Sequence, residues 1–204
     1  MDRRQSVPML NYKTVIPRYL CEYEDKMTFL DLVKKRRSVR NYSQKRIPRE
    51  VIERCLEAAR FAPSACNSQP WSFIVVDEPE LRSELSNKAF SGIYSMNSFA
   101  KDAQALVVVV TERSRYLACL GGYFRGTQYN LVDIGIACEH FVLQATEEGL
   151  GSCLIGWFNE KAIKKCLKIS RNSKVDIVIA LGYPEGEARE QRRKTLDEIR
   201  RYNI

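Results

Sequence analysis

The chain has a single histidine, His140, among 204 residues. A Ser–His or Cys–His catalytic pair would have to use it. His140 lies mid-way along a helical pattern, where a core or interface histidine with a hydrogen-bond partner is the simpler reading. Other signatures are missing as well: there is no G-x-S-x-G elbow, no H-E-x-x-H, no phosphate-binding Walker loop and no G-x-G-x-x-G. The "LGG" at 120–122 and "GLG" at 149–151 read as turns. The seven cysteines, Cys21, Cys55, Cys66, Cys119, Cys138, Cys153 and Cys166, are scattered and form no C-x-x-C pair. That pattern argues against a disulfide framework and against zinc, leaving reduced thiols. No apolar run approaches the roughly 18 residues of a membrane helix. The longest, "ALVVVV" at 105–110, is strand-sized. The opening "MDRRQSVPMLNYK" lacks the apolar segment of a secretory signal, so a cytoplasmic protein is expected. With so thin a catalytic inventory, any chemistry belongs to a bound cofactor.

Charge is present in excess. The formal net charge is +8, and much of it sits in "KKRRSVR" at 34–40 and "REQRRK" at 189–194. Solvated faces are the bland reading of such runs. Nucleic-acid binding calls for aromatics interleaved with the basic residues, to stack on bases. Neither run contains one, and Tyr42 only flanks the first. A compact phosphate site fits better, because arginine forks grip phosphate with two parallel hydrogen bonds.

Residues 1–27 show no periodicity and read as an extension; residues 28–204 read as one domain. "TFLDLVKKR" offers Thr28 as an N-cap, with Phe29, Leu32 and Val33 on one face. A second helix follows from Pro48, expected at the first helical position, with Val51, Ile52, Cys55, Leu56 and Ala59 at helical spacing and Pro63 as the stop. "SFIVVD" and "ALVVVVTE" suit strands buried on both faces. Between them, "EPELRSELSNKAF" predicts a helix and "SGIYSMNSFAKD" a loop. The stretch from Thr127 to Glu148 is apolar almost all round, as suits a helix buried in a core or across a subunit interface. Gly149 should stop it, and a strand should start at Ser152. "NEKAIKKCLKI" predicts a helix capped by Asn159, and "VDIVIALGYP" a final strand before the tail. Helices flanking a small mixed sheet make an α+β fold.

Between the second helix and the first strand lies "SACNSQPW", Ser64 to Trp71, a polar and conformationally odd entry into a strand. It is the most specific of four segments through which the chain resembles the FMN-dependent nitroreductase family. These are "RRSVRNY", "APSACNSQPWSF", "GLGSCLIGWF" and "IALGYPEGE…RRKTLDEI", in family order between about Thr28 and Ile199.

The resemblance implies an α+β fold built as an intertwined homodimer with FMN at the interface. It implies ping-pong oxidoreductase chemistry, in which NAD(P)H is the reductant and a nitroaromatic, quinone or similar small molecule the acceptor. By position, Arg36, Arg37, Ser38 and Arg40 would contact the flavin. Arg36 and Ser38 would lie toward the phosphate and ribityl chain, and Arg40 toward the N1/O2 edge, where a cation favours the reduced anion. Arg193 matches the C-terminal phosphate-binding arginine. Pro63, Ser64, Ala65, Asn67 and Gln69 match a loop that reaches the partner subunit's flavin. Ile155 and Gly156 match the backbone along the N5 edge. No catalytic side chain and no metal are required, since hydride transfer needs no protein acid or base. The chain departs from the family pattern at Cys66, at Gln191 where a basic residue is frequent, and at Thr195 where proline is frequent. Asn97 is a weak candidate for a ring-edge contact. Two other readings remain: a flavoprotein of the same fold with other chemistry, such as reductive dehalogenation or flavin fragmentation, and a basic nucleic-acid-binding protein.

Overall fold

The computed structural model describes residues 27–111, 127–186 and 191–203. The expected N-terminal extension, apart from its last residue Met27, and the "LGG" turn lie outside them. The element order is α1 (Phe29–Lys35), α2 (Arg49–Arg60), a 3-10 turn (Ala65–Asn67), β1 (Trp71–Val76), α3 (Pro79–Ala89), a 3-10 segment (Gly92–Asp102), β2 (Ala105–Thr111), α4 (Tyr129–Glu147), β3 (Gly151–Ile155), α5 (Glu160–Cys166), β4 (Lys174–Gly182) and α6 (Leu196–Ile199).

The strands form one sheet in the order β1-β2-β4-β3. All three pairings are antiparallel, and the parallel component is a single bridge between Ser38 and Ser152. Side-chain alternation splits the core in two. Leu106, Val108 and Val110 face a cluster with Leu85, Ala89, Phe90 and Ile163, supplied by α3 and α5. Ala105, Val107 and Val109 face Ile52, Cys55, Ile134, Cys138 and Phe141, supplied by α2 and α4. The fold is α+β, with a helical layer on each side of the sheet.

The valine run of β2 is buried throughout, as a strand between two covered faces must be. The similar run of β1 is not. It forms a sheet edge, and all but Val76 are half-buried. Composition alone does not tell an edge strand from a central one. Two further expectations shift: Pro48 is the N-cap of α2 rather than its first residue, and 92–102 is a 3-10 segment rather than a loop. Gly149 does stop α4, at φ +77, with its N–H on the Thr146 carbonyl at 3.1 Å. Asn159 caps α5 by accepting the Ala162 N–H at 3.1 Å. Cys55 and Cys138 are buried thiols, and desolvation pushes each up to about 12, so they are inert filler.

Two close approaches fix the segment that carries the first arginines. The Val39 N–H donates to the Ser152 carbonyl at 2.9 Å, laying 38–39 along the start of β3. A Cβ on Gly151 would lie 2.6 Å from Val39 Cγ2, so only glycine admits this contact. Further on, the Ser43 N–H meets the Tyr183 carbonyl at 2.9 Å and the Glu185 N–H meets the Asn41 carbonyl at 3.0 Å. Tyr42 is buried against Gly182, and its hydroxyl donates to the Val39 carbonyl at 2.6 Å. Burial drives its phenol well above the ordinary value. Residues 38–43 are thereby stitched to the start of β3 and the end of β4, next to both basic clusters.

Candidate functional site

The two basic clusters converge. Arg36, mostly buried at the end of α1, donates through Nη2 to Gln191 Oε1 at 3.4 Å. Arg193 Nη2 donates to the same oxygen. Two guanidinium groups separated by 157 positions in the chain thus share one neutral acceptor, with Glu139 of α4 at 4.0 Å from Arg36 Nε. A donor set of this kind fits a phosphate dianion, which offers several strong acceptor oxygens to paired forks. Gln191, noted as a departure from the family pattern, is the residue that joins the clusters. Thr195, the second departure, caps α6 in a reciprocal box with Glu198.

The neighbours of Arg36 are turned in several directions. Arg37 Nη1 donates to the Lys34 carbonyl and to that of Arg36 at 3.3 Å. Ser38 is exposed on the strand-like bridge to Ser152. Arg40 is exposed, donates to the Ser38 carbonyl at 3.5 Å, and lies 5.6 Å from the centre of the Phe99 ring. Phe99 belongs to the 3-10 segment between α3 and β2, so this segment reaches the arginines after all.

At the far end of β3, Ile155 is buried and Gly156 is exposed, with open space where a Cβ would stand. The backbone is bare there. The next residue, Trp157, is 52% exposed and held rigidly. Its indole N–H donates to the Ile93 carbonyl at 3.1 Å, its own carbonyl accepts from Asn97 Nδ2 at 2.8 Å, and its ring meets Tyr94 at 5.2 Å. Asn97 therefore has a structural duty, holding the chain beyond Gly156 in place.

The third group is the loop from Pro63 to Gln69. Pro63 is exposed, while Ser64 and Ala65 are half-buried. Cys66, Asn67 and Gln69 have φ of 52, 53 and 44°, left-handed conformations at three non-glycine residues. Each such residue costs about 1–2 kcal/mol and persists only where neighbours enforce it. The enforcement is visible. Ser64 Oγ accepts the Gln69 N–H at 3.0 Å, and Gln69 Nε2 donates to Asn67 Oδ1 at 3.1 Å. Asp133 of α4 accepts the Ala65 N–H at 3.0 Å and the Ser68 hydroxyl at 3.4 Å. The loop is anchored near the start of α4, whereas Arg36 lies against Glu139 further along that helix and meets Arg193 at Gln191.

Sequence reasoning did not single out Asp133, Glu139 or Trp157. For Asp133 a signal exists, because it is a carboxylate next to the apolar face of Ile134, Ala137 and Cys138. His140 has the partner expected of a structural histidine, with Nδ1 3.3 Å from the Ala58 carbonyl. Among the described residues no cluster of His, Cys, Asp or Glu could hold a metal ion. No helix among them is long and apolar enough to cross a membrane.

An α+β sheet covered by helices on both faces defines the fold class, and the arginine pair on one acceptor and the bare end of β3 are its candidate site. Comparison with known proteins narrows the class to a family. The nitroreductase family model matches residues 33–183. An Archaeoglobus fulgidus protein provisionally named NADH dehydrogenase/NAD(P)H nitroreductase is 35% identical, over 78% of this chain and 86% of its own length. The solved FMN-dependent nitroreductase of Clostridium difficile R20291 is 28% identical, with a TM-score of 0.69, over 86% of this chain and 99% of that one. An iodotyrosine deiodinase from Haliscomenobacter hydrossis is 28% identical over 73% of this chain and 76% of its own. The chain belongs to the nitroreductase family, a family of oxidoreductases.

Proposed function

We propose that the protein is an FMN-dependent oxidoreductase that takes reducing equivalents from NAD(P)H and passes them to a nitroaromatic, quinone or similar acceptor. The observation that carries this reading is the convergence of Arg36 and Arg193 on one acceptor oxygen. Arg36, Arg193, Arg37 and Ser38 would hold the phosphate and sugar chain of FMN, and Arg40 the ring. Pro63, Ser64, Ala65, Asn67 and Gln69 would close on the flavin from a second subunit, so the working form would be a homodimer. FMN, when bound, supplies the hydride chemistry for donor and acceptor in turn. Ile155 and Gly156 line the ring with backbone only, which leaves room for a flat donor or acceptor to stack. Gln191 marks where a phosphate oxygen would sit, and its neutral amide yields that position without leaving a charge uncompensated.

The dimer has its own support. The exposed Phe29 and Leu30 of α1, Leu131 and Val132 of α4, and Leu196 and Ile199 of α6 are apolar surface that the described residues do not cover.

The test is the visible spectrum of the purified protein, followed by Arg36→Ala and Arg193→Ala. A flavin band is expected in the wild type, with FMN affinity reduced at least about tenfold in each variant, the scale of one lost charge-assisted hydrogen bond. Unchanged flavin content in both variants would remove the phosphate assignment.

A second reading is reductive dehalogenation, favoured by the relatives named iodotyrosine deiodinases. It uses the same flavin site, and turnover of a halogenated phenol in preference to nitroaromatics and quinones would select it.

A further inference from the structure

Asp133 is 3% exposed and is the one charged side chain on the buried face of α4. A buried carboxylate is costly unless hydrogen bonds repay its lost hydration. Here its two oxygens are turned to the same target. Oδ1 accepts the Ala65 N–H at 3.0 Å, and Oδ2 accepts the Ser68 hydroxyl at 3.4 Å. These two contacts bracket Cys66 and Asn67, both in left-handed conformations that a free chain would leave. Other braces lie within the loop and would travel with it: Ser64 Oγ to the Gln69 N–H, Gln69 Nε2 to Asn67, and the Asn67 and Ser68 N–H groups to the Ser64 and Ala65 carbonyls. Asp133 thus ties this strained turn to a helix packed on the sheet.

We propose that Asp133 is the positioning residue of the cofactor site: it holds 64–69 in the strained shape that meets FMN, and it does so for the flavin bound by the other subunit. The role rests on the FMN reading above. The loop is held by Asp133 near the start of α4, whereas Arg36 meets Glu139 further along the same helix and Arg193 lies in the tail, so action on the other subunit's flavin rests on the homodimer of that reading. A pair of guanidinium groups and a strained loop can then be contributed to one site by two different chains. Hydrogen bonding, rather than charge, is what the loop draws from Asp133, because both partners are neutral donors.

The experiment measures FMN affinity by flavin fluorescence for the wild type, Asp133→Ala, Asp133→Asn and Ser68→Ala, with amide exchange at Ala65 in the flavin-free proteins. D133A should bind FMN at least about tenfold more weakly and lose protection of the Ala65 amide. D133N, which still accepts from Ala65, should stay within about threefold of the wild type, and S68A should fall between them. D133N and S68A carry the same ordering should D133A not fold. The decisive arm is a heterodimer of one Arg36→Ala chain and one Asp133→Ala chain, isolated by two tags. If the loop serves the other subunit, both changes fall in one site and the second site is intact, so one tight FMN per heterodimer is expected although both homodimers bind weakly. A purely structural role would leave the heterodimer without a tight site, and that outcome overturns action across the interface. D133A binding FMN as the wild type does overturns the role itself, while the cofactor reading stands. A wild type that binds no FMN overturns the cofactor reading and this role with it.

Discussion

Helices α2 and α1 make an instructive pair. α2 buries Val51, Ile52, Cys55 and Ala59 against the sheet and α4, and its N-cap, Pro48, makes no side-chain hydrogen bond. α1 buries none of its residues, with Phe29 71% and Leu30 59% exposed, yet Thr28 and Asp31 form a complete capping box at its start. The same contrast separates α4 from α6. α4 lacks a side-chain cap and buries nine residues, while α6 buries none and carries the Thr195–Glu198 box. In these four, tertiary packing holds the core helices, and local hydrogen bonds define the ends of those that the described residues leave uncovered. The uncovered ones are also those that flank the arginines: Arg36 caps the end of α1, and Arg193 lies just ahead of α6.

The largest expected effect sharpens this contrast. Ile52→Ala in α2, at a 2% exposed position, should cost about 2–4 kcal/mol of stability at every protein concentration. Phe29→Asp in α1 should leave the stability of dilute, monomeric protein within about 0.5 kcal/mol while abolishing self-association. Chemical denaturation at two concentrations, with sedimentation, checks both. A Phe29 variant as damaging as the Ile52 one in the monomer would break the comparison.

Next comes a pH effect at α5, which lies between the two extremes because it has both a cap and a buried residue. Burial works against the charge of Glu160, but hydrogen bonds from Lys174 and Lys164 and from the Val175 N–H outweigh it and hold the carboxyl at about 2. The folded value lies below the unfolded one. Its contribution is therefore complete above the ordinary glutamate range and lost as pH falls toward 2. Glu160→Gln should flatten the acid limb of the stability profile between about pH 4.5 and 2, with little change in how stability varies above it. An acid limb identical to that of the wild type would mean that Glu160 carries no such contribution.

The smallest effect is at the cap itself. Thr28→Ala removes the box at α1 and should cost about 1 kcal/mol of local helix stability. It should appear as faster amide exchange in 29–35 and weaker FMN binding through Arg36, with the global unfolding temperature unchanged. A fall in global stability of that size would show that α1 is coupled to the core after all.

Much of the architecture was legible in the residues. The valine run of β2, the N-caps Thr28 and Asn159 and the stop at Gly149 express local chemistry, so spacing and residue type suffice to find them. The edge position of β1 was not legible, because Trp71–Val76 reads like a central strand until its neighbours are known. The 3-10 segment at 92–102 was hidden for a similar reason: its duties, holding Trp157 through Asn97 and presenting Phe99 to Arg40, are contacts with distant residues. Within the candidate site, the arginine types and the open Gly156 could be named in advance. The roles of Asp133 and Gln191 could not, since they consist of which groups these residues face.

The sequence by itself determined the alternation that gives the sheet two covered faces, the caps, and the presence of two basic clusters suited to a phosphate. Each depends on interactions within a few residues or on periodicity along one element. Only the tertiary structure decided that Arg36 and Arg193 meet at Gln191, that Asp133 holds the 64–69 loop, and that α1 and α6 bury no residue among the described ones. Those outcomes depend on where β3 and β4 bring segments separated by up to 157 positions in the chain, and no local propensity encodes such a distance.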